Sequence, residues 1–280
     1  PDELTGLTGQ LLRCGADIVE MNTLRKRVSA VKGGRFAQLC APAKVFSIVL
    51  SDIVGDPLDM IASGPAYPDR STAADAHAVV DKYNLQLSPD MLALLDRPTP
   101  AALDNVETHI TGSVRELCSA AAAECRALGY ETHILTASLG CEAREAGSFL
   151  ASVAQYHADT EKPLAFIAGG ETVVHITGTG KGGRNQELAL SAARGIAGMD
   201  NALIFSVGSD GTDGPTDAAG GLADGGNCDA LEAKGISIDR VLADNDAYHE
   251  LQQVDGLIIT GPTGTNVNDA AVLLLRPRTN

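Results

Sequence analysis

Residues 113–168 read SVRELCSAAAAECRALGYETHILTASLGCEAREAGSFLASVAQYHADTEKPLAFIA, and this stretch indicates an α/β fold. Residues 113–128 have the spacing of an amphipathic helix, and a glycine follows where such a helix should end. A strand over Glu131–Ala137, a helix over Cys141–His157 and a strand over Leu164–Ala168 come next. This alternation predicts a parallel, doubly wound arrangement.

The flanking sequence extends this pattern on both sides. Val45–Leu50 is almost entirely apolar, as strands covered on both faces are, and it ends in Ser51-Asp52. After residue 162, Thr172–Thr177 follows Leu164–Ala168 so closely that the two are expected to form an antiparallel pair. We therefore predict two domains, residues 1–160 and 161–280, the second being a smaller α/β domain with a mixed sheet.

Composition and charge exclude several classes of partner. The 280 residues include 36 acidic and 21 basic side chains, and the net charge of −15 disfavours binding to nucleic acid or to an anionic membrane. The six cysteines form no Cys-x-x-Cys pair, which fits a reduced, cytoplasmic setting. Residues 21–51 contain six Lys or Arg and no Asp or Glu. This segment is either a solvated basic helix face or a local site for an anion.

Gly178–Glu187, GTGKGGRNQE, lies at a predicted strand-to-helix junction, where a helix over Arg184–Arg194 is expected to begin. A helix start offers unsatisfied N–H groups, and Lys181 and Arg184 add two positive charges there. The segment predicts a phosphate cradle; the alternative is a flexible hairpin before an ordinary helix. Its spacing fits neither a Walker A loop nor the Gly-x-Gly-x-x-Gly of a dinucleotide fold.

Two further segments carry candidate ligand contacts near the ends of predicted elements. Lys32-Gly33-Gly34-Arg35 can bring two cations and a backbone N–H to one anion, or it is a helix break with solvated charges. Asp52 leaves the end of a predicted strand, where it can hold Mg²⁺, accept a hydroxyl proton or cap the next turn.

Acidic residues of the second half suggest a cation site. Glu171 follows a predicted strand, and it can bind a metal, orient a hydroxyl or form the polar corner of a hairpin. Asp210, Asp213 and Asp217 resemble a cation site, although their spacing is not that of an EF-hand. Turn-forming aspartates are the alternative interpretation.

Taken in order, these segments resemble the MOFRL-type glycerate 2-kinase family. The resemblance rests on Met21–Lys26, Lys32–Arg35, Ser51–Pro57 with Ser63–Pro65, Gly169–Thr172, Gly182–Glu187, Gly211–Gly220 and Gly261–Asp269. It implies ATP- and Mg²⁺-dependent phosphorylation of the 2-hydroxyl of D-glycerate to 2-phosphoglycerate. It also implies a Rossmann-like, parallel-sheet first domain and an α/β second domain.

The resemblance and the residues together give the candidate site. Arg184 matches the family arginine that is thought to be catalytic, and Lys32 and Asp52 are the other catalytic candidates. Glu171, Asp210 and Asp213 are the candidate metal ligands. The candidate contacts to substrate or nucleotide are Arg35, Ser63, Gly64, Gly169, Gly170, Thr172, Lys181, Gly182, Gly183, Thr212, Thr265 and Asn266.

Family members extend further at the N-terminus, where a glycine-lysine motif carries a second lysine considered catalytic. Because this chain begins at Pro1, the resemblance predicts a first domain that is incomplete at its N-terminus and slow turnover by the 280-residue chain alone. Two other functions stay open. One is an NAD(P)H-dependent hydroxypyruvate reductase, which the missing dinucleotide motif disfavours; the other is an inactive fragment that binds an anion. The number of subunits is open, a homo-oligomer included.

Overall fold

The computed structural model of the chain describes residues 2–51 and 57–278. These described residues form two compact units, the first of residues 2–49 and 57–111 and the second of residues 50–51 and 112–278. The predicted catalytic residue Asp52 lies outside the described residues. Within the described part of the chain, no helix is both long and apolar enough to cross a bilayer.

The first unit is built mainly from helices. Its elements are α1 (Asp2–Cys14), α2 (Ile18–Val28), α3 (Arg35–Cys40), β1 (Val45–Leu50), α4 (Ala73–Lys82), α5 (Pro89–Leu95) and β2 (Val106–Gly112). Capping boxes begin α2 and α4, because Asp17 and Thr72 each accept a hydrogen bond from the third helical residue and receive one back. The core of the unit is the apolar stripe of α1, α2, α4 and α5, made of residues such as Leu11, Leu24, Val79 and Leu95.

Strands β1 and β2 pair in a two-stranded sheet. The N–H groups of Val45 and Ser51 donate to the carbonyls of Asn105 and Gly112, so the strands run parallel. The prediction that Val45–Leu50 is covered on both faces is wrong for the described residues, because Phe46 is 61% and Ile48 72% exposed. Their face of β1 has no described helix packed over it.

The second unit is a six-stranded sheet with helices on both faces. Its elements are α6 (Val114–Ala127), β3 (Glu131–Leu139), α7 (Ala143–Tyr156), β4 (Leu164–Gly170), α8 (Arg184–Gly195), β5 (Ala202–Gly208), β6 (Gly220–Asp224), α9 (Asn227–Ala233), α10 (Ile238–Asp244), α11 (Ala247–Gln252), β7 (Leu257–Ile258) and β8 (Asp269–Leu275). The strand order is β3-β4-β8-β5-β6-β7. Among the described strands of this sheet, β3 and β4 are parallel neighbours and the other neighbours are antiparallel, so the predicted mixed sheet is confirmed.

Alternating side chains of the strands face two separate cores. Phe166 and Leu273 point to the core under α7 and α8, whereas Ile167 and Val272 point to the core under α6. The predicted domain boundary near residue 160 falls inside this unit, because β3 pairs in register with β4 from the other side of that boundary.

The C-terminal strand β8 decides where the ends of the other strands meet. It lies between β4 and β5 and is antiparallel to both, so that Asp269 is opposite Gly170 on one side and Gly208 on the other. The predicted antiparallel pair of β4 with Thr172–Thr177 is therefore wrong. The only pairing described there is a parallel bridge between Val173 and Glu142, since β8 has taken the place beside β4.

Candidate active site

Arg184 is the first residue of α8, where the sequence predicted the helix to begin. Its Nε and Nη2 donate to the two carboxylate oxygens of Asp269, at 2.5 and 3.1 Å, and its Nη1 donates to Oε1 of Glu171 at 2.9 Å. Glu171 follows β4 and Asp269 begins β8, so the register of these strands brings the two acids together. Three of the five N–H groups of Arg184 are thus used, which leaves two for a ligand.

The charge of Arg184 is stabilised by this arrangement. Burial by itself lowers the pKa of the guanidinium, but the hydrogen bond to Asp269 and the negative charges of Asp269, Glu171 and Asp213 outweigh burial and raise it. A bidentate arginine whose fork is fixed by two carboxylates is oriented to receive a phosphate or carboxylate.

A cavity of about 540 Å³ opens beside Arg184. Its wall combines the charged Arg184 and Glu171 with the loop before α8 and with an apolar strip. The strip and the loop contribute Val173, Val174, Ile176, Gly180, Gly182, Gly183 and Pro215. The structure therefore brings together Glu171, Thr172, Gly182, Gly183, Arg184 and Asp213 from the predicted site.

Asp213 holds the beginning of α8. Its Oδ1 accepts from the backbone N–H and Nδ2 of Asn185 (3.1 and 3.2 Å), and its Oδ2 accepts from the backbone N–H and Nε2 of Gln186 (2.9 Å each). The side chain is 3% exposed, and burial raises its pKa while these four bonds lower it in part. Because both oxygens serve the helix, the structure gives Asp213 a capping role instead of the predicted role as a metal ligand.

The predicted phosphate cradle is narrower than its sequence suggests. The backbone N–H groups of residues 177–181 all donate to residues 244–246. Those of Asn185 and Gln186 donate to Asp213. The N–H groups of Gly182, Gly183 and Arg184 have no acceptor among the described residues, and all three residues line the same cavity.

Lys181, the second cation of this segment, lies over the ring of Tyr248. Its Nζ is 4.2 Å from the ring centroid, and the hydroxyl of Tyr248 donates to Asp217 at 2.7 Å. The positive charge of Lys181 is therefore directed to a neighbouring aromatic ring and acid, so Arg184 is the cation presented to the cavity.

Two loops at the same edge of the sheet contain the predicted residues Asp210, Thr212, Thr265 and Asn266. Oδ1 of Asp210 accepts from the N–H of Thr212 at 2.9 Å, and the carbonyl of Asp210 accepts from the N–H of Thr263 at 3.0 Å. Thr265 and Asn266 lie exposed in the second loop. No group of three His, Cys, Asp or Glu side chains able to hold a metal occurs in residues 2–51 and 57–278.

Gly169 and Gly170 are explained by close packing. They are the last two residues of β4, and both are buried. A Cβ at Gly169 would lie 2.3 Å from Sγ of Cys118, and one at Gly170 would lie 2.2 Å from the carbonyl oxygen of Leu139. Their predicted contact with a ligand therefore has no support from the geometry, which requires glycine for another reason.

Arg35 is the first residue of α3, and its side chain binds the C-terminal end of α2. Its guanidinium donates to the carbonyls of Lys26 (2.6 Å), Ser29 (2.9 Å) and Arg97 (3.2 Å), and the residue is only 3% exposed. Burial, followed by the charges of Arg97 and Arg27, lowers its pKa. The predicted contact of Arg35 with an anion is therefore corrected to a helix-capping role.

The other predicted residues of the first unit meet in one place. Nζ of Lys32 donates to the carbonyl of Ala62 at 2.8 Å, and burial together with the charge of Arg25 lowers the pKa of Lys32. The N–H of Gly33 donates to the carbonyl of Ser63, which joins the two predicted segments. Gly64 has a φ of +60°, and a Cβ there would lie 2.8 Å from the carbonyl oxygen of Asp59, so only glycine fits.

Sequence reasoning missed Asp269 and Asn245. Asp269 was the last residue of a segment that we had recognised, but no local pattern shows that it meets Arg184, 85 positions away. Asn245, which binds the glycine-rich loop before α8, stands in the ordinary-looking run ADNDAY and gives no signal of its role.

Known proteins resemble this chain over almost all of its length. Residues 1–96 match a family described as "Domain of unknown function (DUF4147)", and residues 164–269 match the "MOFRL family". The D-glycerate 2-kinase of Thermotoga maritima is 50% identical over 278 residues, covering 98% of this chain and 67% of the relative. The glycerate 2-kinase of Pyrococcus horikoshii is 40% identical, with 98% and 65% covered.

A third relative and a solved structure complete the comparison. A protein of Agrobacterium vitis named putative hydroxypyruvate reductase is 38% identical, covering 95% of this chain and 71% of its own. The crystal structure of the Thermotoga maritima glycerate kinase superposes with a TM-score of 0.93 at 49% identity, covering 98% of this chain and 67% of that one. The chain spans about two thirds of the length of the two glycerate 2-kinases. It belongs to the glycerate 2-kinase family whose members carry a MOFRL domain.

Proposed function

We propose that this chain carries the Arg184 site of an ATP-dependent kinase that phosphorylates the 2-hydroxyl of D-glycerate. One observation supports this most directly. The fork of Arg184 is fixed by Asp269 and Glu171, two of its five N–H groups are unused, and the residue lines a cavity of about 540 Å³. Phosphoryl transfer depends on positioning and on cations placed along the developing charge, which such an arginine provides.

The neighbouring groups fit the two halves of this reaction. ATP supplies the phosphoryl group, and the N–H groups of Gly182 and Gly183 are free to bind its oxygens beside Arg184. The apolar strip formed by Val173, Val174, Ile176 and Pro215 offers an apolar surface for the base of the nucleotide. Lys32 and Asp52 remain candidates for the glycerate carboxylate and for the proton of the 2-hydroxyl.

Mg²⁺ is compatible with the acidic residues that remain available. In phosphoryl-transfer sites Mg²⁺ is usually held by one or two carboxylates and by substrate phosphates, so a cage of three protein ligands is not needed. Glu171 is half-exposed and uses only Oε1 in its bond to Arg184. Asp210 uses only Oδ1. We propose these two residues as the carboxylates that would hold the ion.

One expectation from the sequence stays a prediction: the cysteine pattern predicts a cytoplasmic protein. Reduction of hydroxypyruvate is a second candidate function, because the Agrobacterium vitis relative carries that name. Consumption of NADH in the presence of hydroxypyruvate would distinguish this activity from the kinase.

The proposed function is tested with D-glycerate, ATP and Mg²⁺. Arg184→Lys should lower kcat by on the order of 10²–10³, because lysine keeps the charge but cannot reproduce the planar fork. Arg194→Lys is the matched control, since Arg194 lies in the same helix and forms an exposed pair with Asp239. A kcat for Arg184→Lys within about threefold of the wild type would contradict the proposal. So would a wild-type chain that neither turns over nor binds ATP.

A further inference from the structure

The turn between α10 and α11 holds the loop of residues 177–181, which we call the glycine loop. Five successive backbone N–H groups of this loop donate to Asp244, Asn245 and Asp246. The N–H groups of Thr177 and Gly178 bind Oδ1 of Asn245 (2.8 and 3.0 Å), that of Thr179 binds Oδ1 of Asp244 (2.9 Å), that of Gly180 binds the Asp244 carbonyl (2.8 Å), and that of Lys181 binds Oδ1 of Asp246 (2.8 Å).

Asn245 is the centre of this turn. It caps α10 in the left-handed conformation, with a φ of +54°, and it is buried. While its Oδ1 accepts from the glycine loop, its Nδ2 donates to Oε2 of Glu187 at 3.1 Å and to the carbonyl of His175 at 3.3 Å. Because Glu187 lies one turn beyond Arg184 in α8, Asn245 ties the glycine loop to the helix that carries Arg184.

The glycines of the loop fit this role. A Cβ at Gly178 would lie 2.2 Å from Cα of Asp244, and a Cβ at Gly180 would lie 2.4 Å from Cβ of Asp246. Glycine is therefore required at both positions so that the loop can approach residues 244–246 closely.

We propose that Asn245 is a positioning residue of the active site. By fixing the glycine loop against α8, it sets the place of Gly180 and Gly182 in the cavity wall beside Arg184. Asn245 itself lines the cavity. Its Oδ1 and Nδ2 are bonded to the glycine loop, His175 and Glu187, so it acts through the loop. The catalytic effect of Asn245 rests on the proposed kinase function. The hydrogen bonds by which Asn245 holds the glycine loop can be tested without any measurement of activity.

The contact between Asn245 and the glycine loop is tested with Asn245→Gly, which keeps the left-handed backbone and removes all five side-chain hydrogen bonds. Asn84→Gly is the matched control, because Asn84 also has a positive φ (+47°) directly after a helix, and its side chain makes no hydrogen bond to the described residues. Hydrogen-exchange mass spectrometry of peptides covering residues 177–181 should show exchange at least about tenfold faster in Asn245→Gly only. Unchanged exchange would overturn the proposal.

The catalytic consequence is tested by steady-state kinetics with D-glycerate and ATP. Misplacing a cavity wall should lower kcat by about 10- to 100-fold while the KM for D-glycerate stays within about threefold. A purely structural role would lower the melting temperature and leave the kcat of the folded protein unchanged, and that result would overturn the positioning role. If the wild type lacks kinase activity, the proposed function fails, and the exchange measurement still decides whether Asn245 holds the loop.

A milder variant covers the case in which Asn245→Gly does not fold. Asp244→Ala removes only the side-chain bond to the N–H of Thr179. It should accelerate hydrogen exchange in the peptides covering residues 177–181 by a smaller factor than Asn245→Gly does, and it should also lower kcat. Wild-type exchange and wild-type kcat in this variant would contradict the proposal.

Discussion

Asp269→Asn tests whether the carboxylate at the start of β8 orients Arg184. The substitution keeps the shape of the side chain but replaces one acceptor oxygen by an NH₂ group. In the wild type, both oxygens of Asp269 accept from Arg184, through Nε and Nη2. In the variant one of these donors faces another donor, and the charge that helps to hold the guanidinium is gone.

The size of the effect follows from the burial of this pair. A hydrogen bond between charged groups contributes about 1.5–3 kcal/mol, and the side chain of Asp269 is only 8% exposed, so water cannot replace the lost bond. Losing one bond and weakening the other should lower the free energy of unfolding by about 2–4 kcal/mol. Since the fork then loses its fixed orientation, kcat should fall by about 10²-fold.

The measurement compares two Arg–Asp pairs of the same chain. Urea denaturation and initial rates with D-glycerate and ATP are recorded for Asp269→Asn and for Asp239→Asn. Asp239 pairs with Arg194 on the surface, where an ion pair contributes less than about 1 kcal/mol, so this control should change neither quantity appreciably. Equal stability losses in the two variants, or a kcat of Asp269→Asn within about threefold of wild type, would refute the reasoning.

Three further predictions concern stability. Asp213→Ala should lower the free energy of unfolding by about 3–5 kcal/mol in urea denaturation, because three buried donors at the start of α8 lose their acceptor. A fourth donor, Nε2 of Gln186, loses one bond and keeps those to Thr216 and to the carbonyl of residue 213. A loss below about 1 kcal/mol would contradict this prediction. Gly170→Ala should lower the free energy of unfolding by about 3 kcal/mol or more, because φ is +151° and the new Cβ would clash with the backbone of Leu139. In the control Gly140→Ala the new Cβ meets open space, so the free energy of unfolding should change by less than about 0.5 kcal/mol. Burial, and after it the charge of Arg25, lower the pKa of Lys32 in the folded state. Between this lowered pKa and the ordinary value of 10.5, the unfolded chain binds more protons than the folded chain, so the free energy of unfolding of the wild type increases as the pH rises. The free energy of unfolding of Lys32→Met minus that of the wild type should therefore be larger at pH 7.5 than at pH 10. A difference that does not change with pH would contradict the lowered pKa of Lys32.

Local patterns were sufficient for much of the second unit. The helix beginning at Arg184 and the strand over Leu164–Ala168 were predicted from periodicity and from the glycines that flank them. The mixed sheet was also anticipated. The pairing of β4 was not, because its partner β8 comes from the end of the chain, and periodicity gives no information about which distant strand will lie alongside.

In the candidate site too, local patterns indicated some residues, whereas their long-range contacts could not be predicted. Arg184 and Glu171 stood out because of their residue types and their place after predicted strands. In contrast, the glycine-rich segment looked like a phosphate cradle, yet the N–H groups of residues 177–181 bind residues 244–246, more than 60 positions later. Such hydrogen bonds form only when α10 and α8 pack side by side.

The sequence alone determined that this is an α/β protein of the MOFRL-type glycerate 2-kinase family and that Arg184 begins a helix at its candidate site. These properties are local, because the spacing of apolar residues and the order of short motifs are read from neighbouring positions. Only the tertiary structure decided that Asp269 fixes the fork of Arg184, that Asp213 caps α8 and that Asn245 holds the glycine loop. Each of these contacts joins residues that are far apart in the chain, so its formation depends on strand order and helix packing, which no single segment encodes.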